Sequence, residues 1–304
     1  MNKILNIIFT VILILPLPGF TQTTLIPDSA FEQELINLGY DTIIDGQVNT
    51  NTIDTITSLD VIGKNISDLS GIEDFINLNY LWCDLNNLVT LDLSNNVNLV
   101  KACCTYNQLT TLILPQNLTT LYCYGNDLTQ LDMTSCYGIE NLSCGFNKLS
   151  TLDLSNNYAL RILSCPYNNL TSLDISNNQF LFVLSCVNNQ LTELNLKNGN
   201  NHNFGVGFQC GLGFYISDNP YLTCIIVDDP NWSTLNWLVD SNQIDTQHYF
   251  SYNCETVTMV EEYNTTSNLI QIVDIWGRET DIKKNIPLFY IYSDGTIEKR
   301  IFIE

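Results

Sequence analysis

Residues 139–180 read IENLSCGFNKLSTLDLSNNYALRILSCPYNNLTSLDISNNQF, one 21-residue phrase written twice. The phrase extends backward through LNYLWCDLNNLVTLDLSNNVN (78–98), LVKACCTYNQLTTLILPQN (99–117) and LTTLYCYGNDLTQLDMTSCYG (118–138). It extends forward through LFVLSCVNNQLTELNLKNGNN (181–201). Cys83, Cys104, Cys123, Cys144, Cys165 and Cys186 keep its phase, each 21 residues from the next save for one step of 19 between Cys104 and Cys123. That short step is a deletion at a turn. Units this small bury apolar surface only against their neighbours, so a fixed period of about twenty residues predicts a solenoid. Function is then a property of surfaces.

The unit LxxLxCxxNxLTxLDLSNNxx resembles the leucine-rich repeat, whose signature is LxxLxLxxNxL with Asn or Cys at the ninth position. It is closest to a nested bacterial class in which LxLxxN occurs twice per coil. Leu81, Cys83 and Asn86 form the first copy and Leu91, Leu93 and Asn96 the second; later coils repeat the second as Leu152, Leu154, Asn157 and Leu173, Ile175, Asn178. In the coil between, Cys136 takes the Asn place. ITSLDVIGKNISDLSGIEDFIN, 56–77, fits a 22-residue version of the unit. The resemblance implies a mainly β leucine-rich repeat solenoid of about seven stacked 21–22-residue coils over 56–198.

In such a coil, alternate positions of a short strand point inward, and stacking turns Leu81, Cys83 and their equivalents into ladders at about 4.8 Å spacing. Asn86, Asn107, Asn126, Asn147, Asn168 and Asn189 recur where the chain turns inward. A buried amide there can pair with backbone groups that the turn leaves unsatisfied, which is a structural role. A 21-residue coil holding two LxL segments has little room for long helices. Parallel sheets on two sides, joined by tight turns, are therefore expected.

Around the array, PDSAFEQELINLGY (27–40) reads as a short amphipathic helix, capped by Asp28 or Ser29, with Phe31, Leu35 and Ile36 on one face and Gly39 at its end. It makes 22–55 an N-terminal cap that shields the apolar interior of the first coil. Beyond 198 a Gly-rich stretch interrupts the repeat, and NPYLTCIIVDD (219–229) resumes a leucine-rich flavour; 199–262 is read as a C-terminal cap and linker. Residues 1–21, with one lysine, an apolar run and small residues Gly19 and Thr21, read as a signal peptide cleaved before Gln22. No later run is long and apolar enough to span a bilayer.

The tail alternates apolar and polar residues, with Asp294 and Gly295 expected at a hairpin turn, and gathers Arg278, Lys283, Lys284, Lys299 and Arg300, five of the eleven basic residues. Its WG turn, PLFYIY strand, DG and KR resemble the C-terminal sorting domain of type IX secretion cargo. The resemblance makes 263–304 a sorting segment. It implies a Gram-negative bacterium of the Bacteroidetes type, the type IX machinery as a partner, and a product secreted or held at the outer-membrane surface.

The chain carries 11 basic and 32 acidic residues, a net charge of −21, which argues against nucleic acid or an anionic membrane as partner. Eleven cysteines in an exported chain suggest disulfides. Six of them, however, occupy an inward ladder position and are read as buried thiols, since parallel in-register neighbours aim side chains the same way and not at each other. Cys224 and Cys254 are the best disulfide candidates, with Cys210 able to compete for either. No CxxC or Cys/His clustering points to zinc, and no metal or other cofactor is expected.

No GxSxG, HExxH, Walker or GxGxxG signature appears, and a Cys210–His202 dyad lacks an orienting third group. No enzymatic activity is expected. Asp92, Asp132, Asp153 and Asp174 stack beside Ser94, Thr134, Ser155 and Ser176, either as a solvated acidic face or as calcium ligands; the lack of a GGxGxD turn favours the former. The candidate ligand face is the outward side of the cysteine strands, with Tyr80, Trp82, Tyr122 and Tyr124, and Phe182 just before the strand of its coil. Tyr106, Phe146 and Tyr167 follow the strands and are assigned to turn packing at the core edge. Two function classes follow. One is a monomeric recognition module for a protein or glycan; the other is a structural or adhesive surface-layer component acting by self-association.

Overall fold

The computed structural model describes residues 22–204, 213–237, 243–254, 268–283, 286–293 and 295–301. Segment 1–21, read as a signal peptide, Cys210, Lys284, Asp294 and residues 255–267 lie outside these. The chain divides into two compact units, Met1–Cys254 and Glu255–Glu304.

The first unit is a stack of short parallel strands. Ser58–Asp60, Tyr80–Trp82, Lys101–Cys103, Thr120–Tyr122, Asn141–Ser143, Ile162–Ser164, Val183–Ser185 and Phe214–Tyr215 form one eight-stranded sheet in chain order. Its register keeps identical repeat positions side by side: Leu121 opposes Leu142, Leu142 opposes Leu163, and Leu163 opposes Leu184. These leucines have no accessible surface. Each contributes roughly 1.5–3 kcal/mol by leaving water, so the apolar ladder drives the stacking. On the other side of the coils, Thr90–Asp92 pairs with Thr111–Ile113, and Ser172–Asp174, Glu193–Asn195, Cys224–Ile226 and Tyr249–Ser251 form a four-stranded sheet, all parallel. The stack thus continues past 198. Phe214–Tyr215 and Cys224–Ile226 add a further coil after the interruption, and Cys224 is bonded to Cys254, with Cα atoms 5.7 Å apart.

The asparagines close the turns. Asn147 Nδ2 donates to the carbonyls of Cys123, Cys144 and Gly145, while its Oδ1 accepts from the N–H of Leu128. Each bond to the preceding coil lies 19 or 24 residues away in sequence, so one amide ties two coils together. Asn107, Asn126, Asn168 and Asn189 repeat the pattern. Asn219 adds a further rung, accepting from Leu191 N–H and donating to Cys186, across the longest step between coils. Asn86, on the first full repeat, accepts from both Lys64 and Ile66.

At the amino-terminal end, the helix Ser29–Asn37 is capped by Asp28, whose Oδ1 accepts from Ala30 and Phe31 N–H. The other oxygen of Asp28 accepts from Ser67 N–H and Oγ and from Asp68 N–H, fastening the cap to the first coil. Phe31 stacks on Phe75 at 6.1 Å. Two helix carboxylates are buried despite the amphipathic reading, because each has donors. Glu32 Oε1 accepts the N–H groups of Asp45, Gly46 and Gln47, and Glu34 pairs with Lys64 at 3.0 Å. Ile36, expected on the apolar face, is only half-buried.

The second unit is a three-stranded antiparallel sheet, Leu269–Val273, Pro287–Tyr292 and Ile297–Ile301, which buries Val273, Leu288 and Tyr290. Gly295 has φ 86°, the left-handed conformation a tight hairpin needs. Arg278 pairs with Asp274 at 2.9 Å, and Arg300 with Glu298 at 2.5 Å.

Candidate functional site: the aromatic face of the eight-stranded sheet

Because strand side chains alternate, the residues flanking each buried leucine project from the sheet away from the core. Register places Asp60, Trp82, Cys103, Tyr122 and Ser143 in one row, and Ser58, Tyr80, Lys101, Thr120 and Asn141 in the next. Tyr80 stacks on Trp82 at 6.0 Å. Trp82 and Tyr122 are not neighbours, since the strand between them carries Cys103. Lys101 bridges them, its ammonium 5.8 Å from the Trp82 ring centroid and 5.3 Å from that of Tyr122. Cys103, a position the repeat does not reveal, is buried within this outward row, and burial pushes its thiol up to about 11. Phe182 is half-buried at the entry to the Val183–Ser185 strand.

Tyr124 belongs to a different group. Its ring contacts Tyr106 at 5.4 Å in an edge arrangement and Phe146 at 4.8 Å, and Phe146 contacts Tyr167 at 4.1 Å. Burial, followed by the neighbouring Tyr106 phenol, raises the Tyr124 phenol. The turn aromatics do not fold over the core edge as the sequence suggests. Tyr106, Phe146 and Tyr167 remain 55%, 43% and 46% exposed and, with Tyr124 between the first two, form a ridge along four consecutive coils.

The backbone under this ridge is unusual. The residue preceding each ladder asparagine has positive φ: Leu85 58°, Tyr106 52°, Gly125 69°, Phe146 51°, Tyr167 53° and Asn188 57°. Gly or Asn adopts this conformation cheaply, whereas a bulky side chain costs roughly 1–2 kcal/mol there. Three aromatics therefore sit where the fold alone would favour Gly or Asn, as it has at Gly125 and Asn188.

Elsewhere the candidate chemistry resolves into structure. The ladder thiols of Cys83, Cys104, Cys123, Cys144, Cys165 and Cys186 are free and fully buried. Burial pushes Cys144 and Cys186 up to about 12, far from a reactive thiolate. On the other sheet side each aspartate of the acidic ladder accepts from the N–H two residues on: Asp92 from Ser94, Asp132 from Thr134, Asp153 from Ser155 and Asp174 from Ser176, at 2.8–2.9 Å. The Thr134 hydroxyl, with its N–H, holds Asp132 below the usual carboxylate range. These are turn-forming bonds. A shallow depression of about 470 Å³ lies here, lined by Asp153, Ser155, Asp174 and Ser176 among others, and not on the aromatic face. Among the described residues no three His, Cys, Asp or Glu side chains gather as metal ligands. His202 packs its ring on Trp232 at 4.4 Å.

No protein-family model matches the chain. Internalin J of Listeria monocytogenes is 36% identical over 70 residues, which is 23% of this chain and 8% of that protein. Among solved structures, the functional domain of InlJ from Listeria monocytogenes, described as including a cysteine ladder, aligns at 26% identity and a TM-score of 0.33, covering 75% of this chain and 61% of that one. Internalin C2 of the same species aligns at 21% identity and a TM-score of 0.39, covering 60% and 91%. The fold is a leucine-rich repeat solenoid. The chain spans less than two thirds of Internalin J and of its solved domain. Among the described residues no helix is long and apolar enough to cross a membrane.

Proposed function

We propose that this leucine-rich repeat protein is a secreted or surface-displayed recognition module that binds a protein or glycan through the outward face of its eight-stranded sheet, with no catalysis of its own. The observation that carries the reading is the concentration of large aromatics on that face. Trp82 and Tyr122 stand in a row whose later positions are the small Ser143, Ser164 and Ser185, with Tyr80 stacked beside Trp82 and Tyr124 in the adjoining ridge. Exposed aromatic side chains supply large contact area at low entropic cost. Phe182 is included at the margin of the face. In this reading the signal segment 1–21 and the tail 263–304 take the protein out of the cell by the type IX route of a Gram-negative bacterium.

The test is capture by the immobilised mature chain from host and bacterial surface extracts, alongside sedimentation of the free protein. A recognition module stays monomeric and loses its captured ligand when Trp82→Ala is combined with Tyr122→Ala. A protein that instead associates with itself, through the same residues and without capturing anything, is a surface-layer component.

A further inference from the structure

The aromatic ridge borders a strip with a composition of its own. Across 141–147, 162–168 and 183–189 no residue is charged, in a chain whose net charge is −21. Ser143, Ser164 and Ser185 are directly paired in register, so their side chains form a file about one strand spacing apart. All three are half-exposed, and none makes a side-chain hydrogen bond among the described residues. Beside them the sheet stays low, because Gly145 and Pro166 are buried; a Cβ on Gly145 would lie 2.8 Å from Pro166 Cδ. Phe146 and Tyr167 then rise along the margin. The ridge stops at Tyr167, where the next coil places Asn188 at the same turn position.

We propose that this strip binds an uncharged glycan chain, with the serine file hydrogen-bonding its hydroxyls and Phe146 and Tyr167 packing against the apolar C–H faces of its sugar rings. This rests on the reading of the sheet as the ligand face and narrows the ligand to one chemistry. Three features favour it over a protein segment. The strip itself carries no charge, its nearest charges being the Glu140–Arg161 and Asp127–Lys148 pairs at its borders, and so offers a polypeptide little of the electrostatic registry that such interfaces ordinarily use. A row of unpaired hydroxyls repeated at each coil matches a ligand that is itself a repeating array of hydroxyls. The aromatics are held in a conformation that costs stability, which marks the position as serving something other than folding.

The test is calorimetric titration of the full mature chain with neutral hexasaccharides (cello-, xylo-, malto-, manno- and chito-oligomers), with heparin and polygalacturonate as acidic comparators, at low and high salt. The expected result is binding of at least one neutral oligosaccharide with little salt dependence. Phe146→Asn with Tyr167→Asn should weaken it by about tenfold or more. The same variant should melt at or above the parent temperature, because Asn accepts the positive φ better. A purely structural ridge would not divide the two readouts this way. Ser164→Phe, which covers the middle of the serine file, should abolish binding. Failure of every neutral oligosaccharide, preference for the acidic ones, or undiminished binding by the double Asn variant would overturn the glycan assignment. If a protein is captured through Trp82 and Tyr122 while no glycan binds, the recognition reading stands and this inference falls; if neither occurs, both fall.

Discussion

The ring of Tyr106 lies over the Cα of Gly125, in the next coil, so closely that a Cβ at Gly125 would stand 2.8 Å from Tyr106 Cδ1. Gly125 thus has two reasons to be glycine: its φ of 69° and the ring above it. Gly125→Ala should displace Tyr106 from Tyr124 and lower stability by about 1–2 kcal/mol. Near-ultraviolet circular dichroism, which senses the packing of Tyr106 and Tyr124, should change together with the melt. An unaltered aromatic spectrum would show that the ridge does not depend on this contact.

Leu142 and Leu163 are fully buried neighbours in the apolar ladder. Replacing either by Ala should cost about 2–5 kcal/mol, the usual consequence of an incompletely collapsed cavity. Since coils are stabilised by their neighbours, the loss should appear in the melting of the whole array. Chemical denaturation of the two variants checks both statements.

Asn147→Leu keeps the branched shape and the number of side-chain heavy atoms but removes the donors and acceptor that serve Cys123, Cys144, Gly145 and Leu128. Leaving these backbone groups unpaired should cost about 3 kcal/mol or more, comparable with the leucine truncations. Hydrogen exchange at Leu128 should accelerate first. Slow exchange there would mean that the amide is replaceable by apolar packing.

His248 is buried, and its Nδ1 accepts from Asp245 N–H at 3.1 Å. Burial lowers its affinity for a proton, outweighing the opposing pull of the Asp245 carboxylate and the Asn219 backbone. The unfolded chain therefore binds this proton more readily than the native one. Stability contributed by the neutral ring is full above the ordinary histidine value of about 6.5 and declines as pH falls through it toward the folded value. A melting temperature that drops below pH 6.5, about the ordinary histidine value, in the parent and less in His248→Gln is the expected outcome; equal slopes would assign the effect elsewhere.

Residues 268–304 belong to a unit separate from the solenoid. Deleting Asn268 to Glu304 should leave the melting of the solenoid unchanged. In a type IX-competent host it should also strand the protein in the periplasm. Fractionation and immunoblotting read the second outcome, and wild-type amounts of truncated protein in the medium would remove the sorting role from the tail.

The sequence by itself determined the period, the inward leucine and cysteine ladders and the turn asparagines, because each recurs at a fixed offset and stacking converts that offset into contact. It also contained the helical cap, since Asp28 and the apolar spacing of Phe31 and Leu35 are local signals. Only the tertiary structure decided what depends on register between coils. Trp82 and Tyr122 look like one patch in sequence but are parted by Cys103 and joined through Lys101. Asn219 continues the ladder although the repeat lapses before it. Buried Glu32 depends on N–H groups 13 to 15 residues away. The ridge from Tyr106 to Tyr167 follows from a left-handed turn that aims three side chains outward, and backbone handedness at a non-glycine residue leaves no mark in composition or spacing.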